Sequence, residues 1–351
     1  MKRNFGLDAI RAFSIWLVIL RHAGFNLGFP INIEIGVIGV KIFFVLSGFL
    51  IGGILIKDLL NSTSFSTLKK FWIRRWFRIL PVYYLMLILK FIIIDHSVGW
   101  HIIYYFLFLQ SNIYGITFYT VTWSLVIEEW FYIFVPLFLI FVFSRVKHDM
   151  KKIVMYLFLF FLIENMIRIV YVYYTKSLVI GGNPLFWLDS LFVGVFIAVV
   201  KKMAPASYKI LQSTGVFIAG LVVFVAYIYF TYIISIPHLT FHAAFFPETI
   251  GMFLFSVSIG LIIPRIEKYQ SFDTTKPYKK VLFNAITQTS LLTYSIYLIH
   301  PLVYGYIARL NLKTFYIQVI IEISITYVLA FLVYKFFEKP FLQLRDRIEK
   351  R

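Results

Sequence analysis

The sequence contains no cysteine, which excludes disulfides, thiolate metal sites and cysteine nucleophiles together. It is poor in charge, with 14% of its 351 residues charged, and the acids number 16 against 34 lysines and arginines. Linkers, low-complexity tracts and internal repeats are lacking too, so nothing in the pattern marks a second domain. The histidines between apolar runs, His96, His101, His238 and His242, are too dispersed for a metal site, and no metal is expected. What abounds is apolar surface: 61% of residues are aliphatic or aromatic, and the mean hydropathy of +0.85 is far outside the soluble range. The solvent for most of this chain is lipid.

Runs near the length of about 20 residues that a bilayer requires occur at roughly 9–29, 34–56, 78–94, 123–143, 153–175, 185–200, 212–235, 247–263, 286–308 and 314–336. The expected fold is therefore an all-α polytopic membrane bundle of about ten transmembrane helices. It is expected to form one integral membrane domain over residues 1–351, with no appended soluble domain. Residues 101–113 are apolar but too short to span, and are expected to form a re-entrant or interfacial segment. Met1-Lys2-Arg3 before an apolar stretch looks like a signal peptide, but Arg21 and His22 interrupt the run, so it is read as the first retained span.

The net charge of +18 could suit nucleic acid. The bases, however, sit in short clusters between apolar runs, as on a cytoplasmic membrane face, and nucleic acid is not an expected partner. Placing both termini inside gathers most lysines and arginines on the cytoplasmic side, including Arg74, Arg75, Arg78 and the cluster Arg145 to Lys152. A spanning segment at 101–113 would throw that cluster outside, so the charge pattern favours the re-entrant reading.

Ionisable residues inside spans are functional candidates by default. Here they are Arg11, Arg21, His22, Lys41, Lys90, Glu128, Glu129, Glu164, Arg168, Asp189, Glu248, His300 and Glu322. At a rise of about 1.5 Å per residue, His22 lies roughly 20 Å and His300 roughly 21 Å from the inner face, while Glu128 lies about 8 Å below the outer one. Arg168 and Asp189 fall in the same outer layer, and together these groups suggest a polar chamber that opens outward. Arg11 and His22 are within roughly 20° of one helical face and about 16 Å apart along it. Ser124 and Glu128 are one turn apart. The stretch Phe71-Trp72-Ile73-Arg74-Arg75-Trp76-Phe77-Arg78 interleaves guanidiniums with aromatics at the inner entry to the third span. Such a pattern suits phosphates and a stacked ring, or anionic lipid heads.

These blocks resemble the membrane-bound acyltransferase family 3, which O-acylates cell-surface glycans and some small molecules. The resemblance rests on Gly6-Leu7-Asp8-Ala9-Ile10-Arg11 with His22, on Phe43-Phe44-Val45-Leu46-Ser47-Gly48-Phe49, and on Arg74-Arg75-x-x-Arg78-Ile79-Leu80-Pro81. Two further blocks follow, Trp123-Ser124-Leu125-Val126-Ile127-Glu128-Glu129 and Tyr294-Ser295-Ile296-Tyr297-Leu298-Ile299-His300-Pro301. The resemblance implies an acyl-CoA donor, usually acetyl-CoA, bound from the cytoplasm, and a glycan or lipid-linked saccharide acceptor presented outside. By that resemblance Arg74, Arg75 and Arg78 hold the donor phosphates with help from Arg11, His22 is the general base, and Glu128 orients His22 and stabilises its charged form. Trp123, Ser124, Glu129, Tyr294, Ser295 and His300 are expected to bind substrate or support the site. Ser47 belongs with them, read beside Gly48 as permitting close helix packing rather than as a nucleophile.

The expected function is thus a membrane O-acyltransferase, specifically an O-acetyltransferase, in the cytoplasmic membrane of a bacterium. Intramembrane Arg, His and Glu also mark translocation pathways, so a transporter of a lipid-linked sugar or anionic solute is the competing expectation. A transporter would favour paired repeats, and the sequence has no such symmetry.

Overall fold

The computed structural model describes residues 3–24, 34–111, 115, 117–146, 149–176, 183–231, 245–310, 312 and 314–348. His238, His242, Lys147, the outer end of the first expected span and both chain ends lie outside the described residues. The helices are α1 (Phe5–His22), α2 (Ile35–Asn61), α3 (Phe65–Ile93), the short α4 (Ile102–Phe106), α5 (Trp123–Val146), α6 (Met150–Thr175), α7 (Leu188–Met203), α8 (Pro205–Leu211), α9 (Thr214–Ile228), α10 (Met252–Glu267), α11 (Pro277–Ala308), α12 (Phe315–Val333) and α13 (Lys339–Ile348). π-helical turns at Pro247–Gly251 and Tyr334–Glu338 lead into α10 and α13.

Among the described residues, eight helical stretches are long and apolar enough to cross a membrane. The other two of the ten expected spans are helices as well, but α1 has 18 residues and carries Asp8, Arg11 and Arg21, and α7 has only 16. Both lie inside the bundle. In the apolar stretch of α2, 78% of residues are buried, against 11% for Thr214–Thr231, whose side chains face outward as a lipid-exposed helix requires. Two boundaries differ from expectation. The third helix begins at Phe65, so its arginines stand on the helix rather than ahead of it. The segment from residue 101 is a five-residue helix that ends where Phe108 takes a positive φ of 55°, with residues 112 and 113 outside the described set.

Local chemistry sets the inner end of α1. Asn4 caps the helix by accepting from the Leu7 amide at 3.1 Å, and its own amide donates to the Glu267 carbonyl of α10 at 2.8 Å. Asp8, buried in the first turn, accepts from Arg3 at 2.9 Å, from Ser290 of α11 at 2.8 Å and from Arg11 at 3.3 Å. One carboxylate thus aims the Arg11 guanidinium and joins two helices.

The closest helix contact is between α2 and α7. A Cβ at Gly48 would lie 1.9 Å from the Leu191 carbonyl oxygen, and one at Gly194 would lie 2.1 Å from that of Val45, so only glycine lets the two backbones meet. Beyond this contact lies a sealed ionic cluster. Arg168 donates to Asp189 at 3.1 Å and to the Phe186 carbonyl at 2.9 Å, Glu164 lies 3.9 Å away, and Lys41 of α2 donates to the Met252 carbonyl at 3.1 Å. Arg168 and Asp189 were expected in an outer chamber with His22 and Glu128. Instead they neutralise each other in the protein interior, where an unpaired charge would be strongly unfavourable.

Gly48→Ala is expected to destabilise the bundle by at least the roughly 1–3 kcal/mol typical of overpacking, because the added methyl group meets backbone rather than a movable side chain. Gly53→Ala, where nothing lies within 4 Å of the added Cβ, should leave stability unchanged. Thermal unfolding of the two variants in detergent checks the difference.

Candidate active site

Two cavities lie along α1. The one toward the N-terminal end of the helix, called the inner cavity, is walled by Arg11 of α1, Ser47 of α2, Arg75 and Arg78 of α3, Ser124, Glu128 and Tyr132 of α5, and Ser290, Tyr294 and Tyr297 of α11. Three guanidiniums against one carboxylate make it cationic. Arg75 and Arg78 share a wall because residues three apart lie on one helical face. Their neighbour Arg74 does not join them; it pairs with Asp58 of α2 at 3.2 Å, which corrects the expectation of a three-arginine cluster on α3. Arg11 takes the third place. The Arg75 Nε is buried with no hydrogen-bond partner among the described residues, so the cavity wall holds an unused donor. Trp72 and Trp76, on the same helix, stack with ring centroids 6.0 Å apart and an interplanar angle of 9°.

Glu128 belongs to this inner cavity. Its carboxylate accepts from Ser47 at 3.4 Å and from Tyr132, one turn along α5, at 3.1 Å. Ser47 is therefore a cavity residue, and the close packing expected of it falls to Gly48 alone. Glu129 points elsewhere: it is buried toward Trp76, lines neither cavity, and its Oε1 has no partner among the described residues.

The cavity toward the C-terminal end of α1, called the outer cavity, holds His22 with Arg21, Glu34, Trp123 and Tyr297. Arg21 and Glu34 pair at 2.8 Å across the α1–α2 junction. Trp123 packs against Trp187 with centroids 4.8 Å apart, and the cation of Lys41 lies 5.1 Å from the Trp187 ring, so the ionic cluster braces this wall from behind. His22, the last residue of α1, is exposed and bonds through Nδ1 to the Val18 carbonyl at 2.9 Å. Its ring neighbour is His300, 4.8 Å away between centroids. The expected His22–Glu128 pair does not form. Depth arithmetic put the two at one level but could not show that different cavities separate them.

Val40 and Tyr297 line both cavities. The Tyr297 hydroxyl donates to the Val121 carbonyl at 2.7 Å and shares a 2.6 Å hydrogen bond with Ser124. These groups pin the ring where the cavities meet. Tyr294, one turn before, donates to the Ile79 carbonyl at 2.7 Å and ties α11 to α3. Ser295 faces away from both cavities and donates to Glu338 at 2.7 Å. Glu338, buried in the π turn after α12, was missed in the sequence because it stands among the basic residues after Tyr334; an acid directly after the aromatic stretch Tyr334 to Phe337 was the available signal. Tyr297, Tyr132, Asp8 and Glu34 were also missed, since no periodicity reports which side chains meet across helices.

Fold and site together define a helical membrane protein with a cationic cavity and a histidine cavity sharing one wall. Residues 4–335 match the family model described as an acyltransferase domain, and the chain belongs to that acyltransferase family. It is 27% identical to the peptidoglycan O-acetyltransferase OatA of Listeria monocytogenes over 365 aligned residues, which cover 95% of this chain and 55% of that protein. It is 36% identical to the putative peptidoglycan O-acetyltransferase YrhL of Bacillus subtilis over 38% of this chain and 23% of the relative. A putative O-acetyltransferase of Staphylococcus aureus strain COL is 31% identical over 42% of this chain and 26% of its own length. The chain thus spans about half of OatA and aligns with about a quarter of the other two. No solved structure matches it.

Ser295→Ala would leave the buried Glu338 carboxylate without its donor, and a loss of about 1–3 kcal/mol is expected. Ser62→Ala, at an exposed site, serves as the control. The check is the midpoint of thermal unfolding of each variant in detergent.

Proposed function

We propose that this protein is an O-acetyltransferase that moves an acetyl group from a coenzyme A thioester, bound in the inner cavity, to a glycan hydroxyl presented at the outer cavity. Peptidoglycan is the acceptor class favoured by the names of its relatives. The observation that carries the reading is the shared wall of Val40 and Tyr297, which sets three guanidiniums on one side and an imidazole on the other. Arg75, Arg78 and Arg11 suit a polyphosphate, because guanidiniums bind it through paired, charge-assisted hydrogen bonds. The unused Arg75 Nε adds to that fit. A long pantetheine arm then leads the thioester past Tyr297 and Val40.

His22 acts as the general base. The carbonyl oxygen of Val18 can only accept, so the proton of neutral His22 sits on Nδ1, and Nε2 keeps its lone pair. As the acceptor hydroxyl attacks the thioester carbonyl, Nε2 takes its proton. The tetrahedral intermediate then collapses, the carbon–sulfur bond breaks, and the proton returns to the leaving thiolate. Glu128, held by Ser47 and Tyr132, works on the donor side; it sets the polarity of the passage and directs Arg75 and Arg78. In this reading the basic clusters face the cytoplasm with both termini, and the membrane is the cytoplasmic one.

Two outcomes are expected. With labelled acetyl-CoA, Arg75→Ala and Arg78→Ala should each raise the donor KM by about tenfold to a hundredfold, the worth of one charge-assisted hydrogen bond. Arg74→Ala, whose guanidinium is engaged with Asp58, should change it by less than about threefold, well under that bond's worth. His22→Ala should bind donor normally yet lose about 10² to 10⁴ in kcat, the range of general-base catalysis. Transfer to a peptidoglycan acceptor at the wild-type rate in His22→Ala would exclude the role given to His22.

A further inference from the structure

Behind the wall of the histidine cavity, beside His22, lies a second imidazole that the transfer reaction above does not use. His300 is fully buried on α11, its Nε2 has no hydrogen-bond partner among the described residues, and its ring lies 4.8 Å from that of His22. Local sequence explains its pose. Pro301 has no N–H, so the helix leaves the Tyr297 carbonyl without its usual donor. The His300 ring turns back over this frayed turn, with Nδ1 3.2 Å from the Ile296 carbonyl. A carbonyl only accepts, so the His300 proton sits on Nδ1 as well. Tyr297 and Tyr304 flank the ring with centroids at 5.8 and 5.6 Å and hold it in place.

Both histidines thus have Nδ1 committed to the backbone, and the buried one keeps an unmatched lone pair on Nε2. A buried acceptor of this kind calls for a donor, and a catalytic role is one way to supply it. Resting on the acyltransferase reading, we propose that His300 is the positioning residue for His22: its Nε2 accepts a hydrogen bond from the His22 imidazolium during transfer, the task first assigned to Glu128. The proton count is unchanged. The acceptor O–H bond breaks, the proton resides on His22 Nε2 beside the His300 lone pair, the acyl–oxygen bond forms as the carbon–sulfur bond breaks, and the departing thiolate removes the proton.

The Tyr304 hydroxyl and one Glu322 oxygen have no partner among the described residues, and the other charged or titratable groups around the pair are engaged. Arg21 and Glu34 neutralise each other at 2.8 Å, Tyr297 is bound to Val121 and Ser124, and Glu322 of α12 accepts from Gln318 at 2.9 Å. The nearest charge on the α2 side, Lys41, is engaged with Met252 and Ser256 behind Trp187.

The test compares His300→Phe, which keeps a flat ring without an acceptor, with His300→Gln, whose amide oxygen can accept. His300→Phe should lower kcat by about tenfold to a hundredfold, the worth of one hydrogen bond to a charged group, with both KM values unchanged. His300→Gln should recover most of that loss. Equal losses in the two variants, or an undiminished kcat in folded His300→Phe, would overturn the proposal while leaving the role of His22 intact. Full activity in His22→Ala would instead remove the reading on which it rests. A measurement on the unaltered protein needs no variant: nitrogen-15 spectra of histidine-labelled protein should show His300 protonated on Nδ1 alone at neutral pH, and a proton on its Nε2 would also overturn the proposal.

Discussion

The backbone contact between α2 and α7 at Gly48 and Gly194 is the constraint on which the rest of the structure depends. It fixes α2 between two polar regions that must be kept apart. On one side Val40 and Ser47 face the cavities; on the other, Lys41 faces the Arg168–Asp189 cluster. Moving α2 outward by the width of a methyl group would loosen both at once. The apolar residues of α6, α9 and α12 that face outward add little to this interior, and lipid is their solvent.

Within that frame, α1 supplies a cation to the inner cavity and an imidazole to the outer one. Arg11 is aimed by Asp8, and His22 by the helix's own last turn. Tyr297 stands where the two cavities meet, tied to the start of α5 through Val121 and Ser124. In the proposed reaction this wall has two functions, because it separates water on the two sides and leaves a passage narrow enough for a thioester arm. Excluding water matters to a transferase, since water competes with the acceptor for the acyl group. The membrane crossing is then part of the chemistry and not only an anchor.

Much of this was legible in the sequence, for physical reasons. Long apolar runs fix spans, and the short polar blocks that interrupt them single out Arg11, His22, Ser47, Arg75, Arg78, Ser124 and Tyr294, which line one cavity or the other. Partners were less legible. Period and depth place a residue on a face and at a level, but they do not say which helix it meets. For that reason Glu128 was paired with His22 although Ser47 and Tyr132 hold it, Arg74 was grouped with two arginines although it faces Asp58, and Arg168 and Asp189 were assigned to a chamber although they close on each other. Glu338 and His300 acquire their meaning only from contacts across helices. His300 shows the limit well: Pro301 announced an irregular turn, yet nothing in the chain said that His22 would lie beside it.

The central claim is that one protein-lined path joins a cytoplasmic donor to an acceptor on the opposite face. Its most direct measurement uses proteoliposomes of uniform orientation, with labelled acetyl-CoA on the side of the arginine cavity and a peptidoglycan acceptor on the side of His22 only. The account predicts label on the acceptor in the wild-type protein and none when donor is supplied on the histidine side alone. Transfer that requires donor and acceptor on the same side would contradict it.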